Sequence, residues 1–210
     1  MFASVLRLSI EDLTKLRVKD AYGVHRVVYD LFERVRDEAA MTDSSSGILY
    51  ADRGVRKERR EIVMVSDRCP RQPPHGEVQC REIPEKFLGF STYRFQITIN
   101  PVRRESSSGK LVPLRNRESV AEWFAAKSPG WGFDITHIEV QSLNVLQFEK
   151  EKGQRVTLGQ ATLTGILHVR DVADFSRSFS LGIGRGKAFG CGLLQIEPIV
   201  NQPPNPPTPQ

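Results

Sequence analysis

"GIGRGKAFGCGLLQI", residues 182–196, holds glycine at 182, 184, 186, 190 and 192. Two cations, Arg185 and Lys187, sit among them, and an apolar strand-like run follows at once. Glycine serves where a chain must turn sharply or where backbone must come close to something else. The stretch does not match the dinucleotide fingerprint, because Phe189 stands where G-x-G-x-x-G, begun at Gly184, needs Gly or Ala. It does not match the P-loop either: Leu181 replaces the first glycine, and Ala188 the Ser or Thr after the lysine. Two readings remain. The glycines let the chain turn between a helix and an edge strand, or they bring backbone amides to phosphates with Arg185 and Lys187 adding charge. The tight spacing and the two cations favour the second, with Gly184 and Gly186 beside the phosphates.

Outward from this stretch, the pattern is helical on one side and extended on the other. "DVADFSRSFSL" reads as a short helix before it, and "LLQIEPIV" as a closing strand after it. Upstream, "ITHIEVQSLNVLQF" and "VTLGQATLTGILHV" are long strands joined by the charged turn "EKEKGQR". "TYRFQITINPV" alternates, with Tyr93, Phe95, Ile97 and Ile99 on one side. A polar loop, "RRESSSGK", and a short return, "LVPL", follow it, and Asn116 is placed to cap a helix carrying Val120, Trp123 and Phe124.

The first half repeats this in kind. "ASVLRLSI" is a strand, and a helix over about Asp20–Ala39 places Val24, Val27, Val28, Leu31, Phe32 and Val35 on one face. "TDSSSG" breaks the chain, and "ILYADRG" and "RREIVMVSD" are strands joined by a basic turn. Proline-rich loop is expected from there to residue 84. Strand–helix–strand–strand in each half predicts an α+β protein of two tandem ferredoxin-like domains, 1–88 and 89–200. The second helix of the first domain is poorly marked. "NQPPNPPTPQ", 201–210, reads as a disordered, polyproline-like tail.

A net charge of +5 and a pI near 9.3 over 210 residues suit an acidic partner, nucleic acid or an anionic surface. No apolar run is long enough to span a bilayer. The N-terminus lacks a basic n-region and a cleavage site, so no signal peptide is expected. Cys69, His75 and Cys80 are too few and too loosely spaced for a structural zinc. All three cysteines, Cys191 included, are expected as free thiols, which fits a reducing cytoplasm. No cofactor or metal is expected.

Tyr22, His25 and Tyr29 follow i, i+3, i+7 on the first helix, a stripe apart from its apolar face. His25 falls about 90° from the core centre, at a boundary, with its ring open to solvent or ligand. One reading is a surface histidine between boundary tyrosines. The other is a general acid or base with a phenol beside it.

"GIGRGKAFGCGLLQI" closely resembles the C-terminal Gly-rich motif of the CRISPR-RNA-processing endoribonucleases, especially the subtype that serves as a Cascade subunit. "AYGVHRVVYDLF" is similar to their catalytic helix, with Tyr22 and His25 on the tyrosine and histidine positions, and "FQITINPVRR" resembles their Asn-Pro strand. The resemblance covers nearly the whole chain. It implies two ferredoxin-like domains akin to the RNA-recognition motif. It also implies metal-independent cutting of the repeat hairpin in precursor CRISPR RNA, by 2′-OH attack giving a 2′,3′-cyclic phosphate. Cytoplasmic partners in a Cascade-type complex are expected with it. His25 is expected as acid or base and Tyr22 as an orienting group. A catalytic lysine found in some members falls in register near Lys152, Gln154 or Arg155. RNA holding is expected from Arg26, Arg103, Arg104, Lys110, Arg115, Arg117, Lys152, Arg155, Arg185 and Lys187, through phosphates and 2′-OH groups. The alternative is a non-catalytic subunit that holds processed guide RNA.

Overall fold

The computed structural model describes residues 1–33, 46–105, 109–150 and 153–200. Strand β1 (Phe2–Ser9) buries Ser4, Leu6 and Leu8 in turn, the alternation of a strand covered on one face. Ser9 then starts a short helix, α1 (Ile10–Lys15): its hydroxyl accepts from the Asp12 N–H, and the Asp12 carboxylate accepts from the Ser9 N–H. Helix α2 (Ala21–Asp30) is capped by Asp20, whose carboxylate accepts from the Gly23 N–H. β2 (Ile48–Arg56) and β3 (Arg59–Ser66) form a hairpin through Lys57 and Glu58, both left-handed, as a tight two-residue turn demands. β4 (Glu77–Glu82) pairs with the far side of β1.

The second half opens with β5 (Thr92–Ile99). A separate ribbon of β6 (Val102–Arg104) and β7 (Leu111–Pro113) follows, then α3 (Arg117–Lys127), capped by Asn116 as expected. β8 (Phe133–Glu149) and β9 (Arg155–Val169) make a long hairpin. α4 (Val172–Leu181) leads into the glycine loop, and β10 (Gln195–Pro198) closes the sheet.

The sheets run β2-β3-β1-β4 and β10-β5-β9-β8, antiparallel throughout. Numbered within its own half, each reads 4-1-3-2, so one topology occurs twice. The halves share apolar packing at β2. Ile48 and Tyr50 face α2 with Leu6, Val28 and Met64, while Leu49 and Ala51 join the core of the second half with Ile183 and Leu193. Four successive buried residues mark a strand covered on both faces. That strand carries the junction at which the candidate site lies.

Several expectations are corrected. The first helix ends at Asp30 instead of Ala39. The Arg71 N–H takes the Leu31 carbonyl, and Phe32 turns into the core beneath the Arg68 guanidinium. Val35 lies outside the described residues, as do Lys152 and the tail 201–210. The supposed loop to residue 84 contains β4, an edge strand with Val78 as its one fully buried residue. α1 was not expected. No helix joins β3 to β4 among the described residues. Cys69 and Cys80 are joined as a disulfide across that connection, not free thiols; Cys191 alone is free, and it is buried. The cysteine count therefore gives no argument for a reducing compartment. No helix among the described residues is long and apolar enough to cross a membrane.

Candidate active site

All five glycines of the 182–192 loop have φ between +75° and +87°. At Gly192 a Cβ would lie 2.6 Å from the Ile183 carbonyl oxygen, so both conformation and space demand glycine. Gly184 has the same left-handed backbone with open space around it. The loop is pinned at several points. The Ile183 N–H donates to the Gly192 carbonyl at 2.9 Å, the Gly192 N–H to the Thr98 carbonyl at 2.7 Å, and the Gln160 amide to the Phe189 carbonyl at 3.1 Å.

This pinned loop meets α2 at His25. The His25 Nδ1 lies 2.9 Å from the carbonyl oxygen of Ala188, and the Tyr50 hydroxyl donates to the same oxygen at 2.8 Å. A carbonyl only accepts, so Nδ1 carries a proton. In the neutral ring Nε2 is then the basic nitrogen. The imidazole packs against Tyr29 at 4.3 Å, Phe189 at 5.6 Å and Tyr22 at 6.0 Å between ring centroids. Burial pushes its pKa below the ordinary value of 6.5. The Ala188 carbonyl opposes this, Lys150 adds to it, and Asp30 opposes it. The ring is half-buried with one nitrogen engaged, where the sequence placed it open at a boundary.

Sequence reasoning passed over Lys150. It stands where β8 gives way to the hairpin turn, its Nζ 5.3 Å from the Phe189 ring centroid. The register that pairs Glu149 with Arg155 fixes that position, and register is not readable from one strand alone. Arg155, by contrast, is exposed and ion-paired with Glu149 at 3.2 Å.

Arg103, Arg104, Arg185 and Gly184 line one cavity of about 660 Å³ beside the glycine loop. Lys127 and Trp123 line it as well. Arg104 also donates to the Gly109 carbonyl at 2.8 Å. Lys110 is exposed on the same ribbon, and Arg115 is exposed just ahead of α3. Arg117 lays its guanidinium on the Val140 and Gln141 carbonyls of β8. Lys187 donates to the Leu181 carbonyl at 2.6 Å, closing the end of α4, and burial lowers its pKa. Arg26 is exposed on α2, its guanidinium 3.5 Å from the Leu16 carbonyl. At Gly186 a Cβ would lie 3.3 Å from the Cys191 sulfur. The structure thus brings His25 together with Tyr22 on α2, and Arg103, Arg104 and Arg185 together around that cavity. Among the described residues no three His, Cys, Asp or Glu side chains converge.

Two antiparallel sheets of one strand order, with a histidine helix against a glycine loop, place the chain in the α+β fold of solved CRISPR endoribonucleases. The structure of CRISPR endoribonuclease Cse3 bound to 19 nt RNA superposes with a TM-score of 0.80 at 19% identity, covering 94% of this chain and 100% of that one. Cas6e from Escherichia coli K-12 gives 0.63 at 18%, covering 95% and 100%. A chain of a CRISPR RNA-guided surveillance complex gives 0.72 at 18%, with the same coverage. The chain belongs to the CRISPR associated protein family, whose model matches residues 1–198. A relative, the CRISPR-associated endoribonuclease Cse3 of Thermus thermophilus, is 28% identical over 116 residues. That alignment spans 50% of this chain and 55% of the relative's length.

Proposed function

We propose that the protein is a metal-independent endoribonuclease that cuts the repeat hairpins of precursor CRISPR RNA and hands guide RNA to a Cascade-type complex in the cytoplasm. The two sheets are two ferredoxin-like domains, 1–88 and 89–200, and the cut is made where they meet. One observation carries this reading: the His25 ring is held with Nδ1–H on the Ala188 carbonyl, which leaves Nε2 as a base at neutral pH. Family membership and the shared fold support it.

His25 Nε2 takes the proton of the ribose 2′-OH, and the freed oxygen attacks the adjacent phosphorus. The bond to the 5′-oxygen breaks and that oxygen gains a proton from solvent, leaving a 2′,3′-cyclic phosphate and a 5′-OH. Tyr22, one turn from His25, orients the 2′-OH. Lys150 offsets charge gathering on the phosphorane oxygens. Arg103, Arg104 and Arg185 hold phosphates of the hairpin in the cavity they line. Purified protein is incubated with end-labelled repeat RNA in EDTA. One cut per hairpin, leaving a cyclic phosphate, is expected; binding without cutting would make the chain a guide-holding subunit.

A further inference from the structure

Ala188 offers one carbonyl oxygen to two donors that come from different parts of the chain. His25 reaches it from α2 and Tyr50 from β2, at 2.9 and 2.8 Å. The Tyr50 side chain is almost wholly buried, and it lies on the strand that both halves cover. A Cβ on Gly190 would come within 3.2 Å of the Tyr50 ring, so the glycine loop closes directly over that ring. From the other sheet, Gln160 on β9 holds the next carbonyl, Phe189, and also reaches the Cys191 sulfur at 3.3 Å. The peptide that orients His25 is therefore gripped from both halves.

We propose that Tyr50 is a positioning residue for the cleavage reaction: its hydroxyl fixes the Ala188 carbonyl, and through it the tautomer and direction of the His25 ring. This rests on the reading of His25 as the base. The physical reason is geometric. Nε2 reaches a 2′-OH productively only when the ring plane is set, and the ring is set by the bond at Nδ1. Tyr50 suits the task because burial above all, with the nearby Asp52 carboxylate adding to it, drives its pKa upward, so it stays a donor across the whole working range of pH. The groups that face the His25 ring are Tyr22, Tyr29 and Asp30 on its own helix, Phe189 on the loop, and Lys150 on the β8–β9 hairpin. None of these replaces the Tyr50 hydroxyl on the Ala188 oxygen.

The full-length Tyr50→Phe variant keeps the ring and loses only the hydroxyl. Tyr93→Phe is the control. That buried hydroxyl donates to the Phe87 carbonyl at 2.7 Å within the second core, away from His25. Single-turnover cutting of the repeat hairpin is measured for both, with hairpin affinity. The 15N shifts of His25 are recorded in the free protein, assigned with His25→Gln. Tyr50→Phe is expected to cut about 10- to 100-fold slower with unchanged hairpin affinity. Its His25 signals should move from the single Nδ1–H form to a mixture, with the titration shifted further downward, because the bond to the Ala188 carbonyl that opposes the effect of burial is loosened. Tyr93→Phe should change neither. A Tyr50→Phe protein that cuts at the wild-type rate overturns the proposal. So does a slow variant whose His25 keeps the wild-type tautomer and titration. The 15N measurement needs no RNA, so failure here is separable from a wild-type protein that does not cut at all.

Discussion

The Nδ1 of His25 and the carbonyl oxygen of Ala188 stand 2.9 Å apart, although 163 residues separate them in the chain. This bond ties the helix of the first half to the glycine loop of the second. If Nε2 on the other side of the ring is the base, His25→Ala should cut about 10²- to 10⁴-fold more slowly, the usual worth of such a group. Hairpin affinity should stay within a few-fold. Single-turnover rates beside filter-binding curves test this, and a wild-type rate in the variant would remove His25 from the site.

The pH dependence has a definite sign. Burial lowers the His25 pKa, so the neutral, basic ring persists below pH 6.5. Cutting should therefore hold a plateau through neutral pH and fall on the acid side, with an apparent pKa under 6.5. The same group couples to stability. The unfolded chain binds this proton more readily than the folded one, so the His25 contribution is fully present above pH 6.5. It is lost as pH falls through the folded pKa. A rate profile whose acid limb lies above 6.5 would contradict the assignment.

Lys150 and Arg155 separate two expectations that the sequence left together. Lys150 lies over Phe189 beside His25, whereas Arg155 is spent on Glu149 at the surface. Lys150→Ala should slow cutting at least tenfold with little loss of binding. Arg155→Ala should change cutting less than twofold. Equal effects would mean that the hairpin acts only as a basic surface.

Within the glycine loop, the two cations should behave differently. Lys187 caps α4 through the Leu181 carbonyl, so Lys187→Ala should lower the melting temperature and leave the salt dependence of binding nearly unchanged. Arg185 lines the cavity with Arg103, and Arg185→Ala should reduce the log–log salt slope by somewhat under one unit. Gly184→Ala meets open space and costs the left-handed strain of about 1–2 kcal/mol. Gly192→Ala adds a clash with the Ile183 carbonyl and should melt several degrees lower still. Salt-titrated binding and thermal melts decide both comparisons.

What could be read from the sequence follows from how local each signal is. The cap at Asn116, the valines of α2, and the alternation of β5 depend on neighbours a few residues away, and all form as read. β4 escaped because Glu77–Glu82 is a polar edge that pairs with β1, some 75 residues earlier. The helix read to Ala39 ends at Asp30, and the carbonyl of the following Leu31 is taken by Arg71, far along the chain. Tyr22 and His25 were visible as a stripe. Tyr50 and Lys150 were not, since one is placed by a strand buried on both faces and the other by hairpin register. The glycines serve both turn and close approach: Gly192 has no room for a side chain, while Gly184 opens onto the basic cavity.

The most direct test of the central claim is a repeat hairpin carrying a single 2′-deoxy nucleotide at the cut position. It is incubated in EDTA under single-turnover conditions beside the all-ribose hairpin. The all-ribose RNA should yield a 2′,3′-cyclic phosphate and a 5′-OH. The deoxy RNA should bind with the same affinity and remain whole, because the oxygen that His25 deprotonates is missing. Continued cutting of the deoxy hairpin would show that water, not the ribose, attacks phosphorus, and would contradict the account.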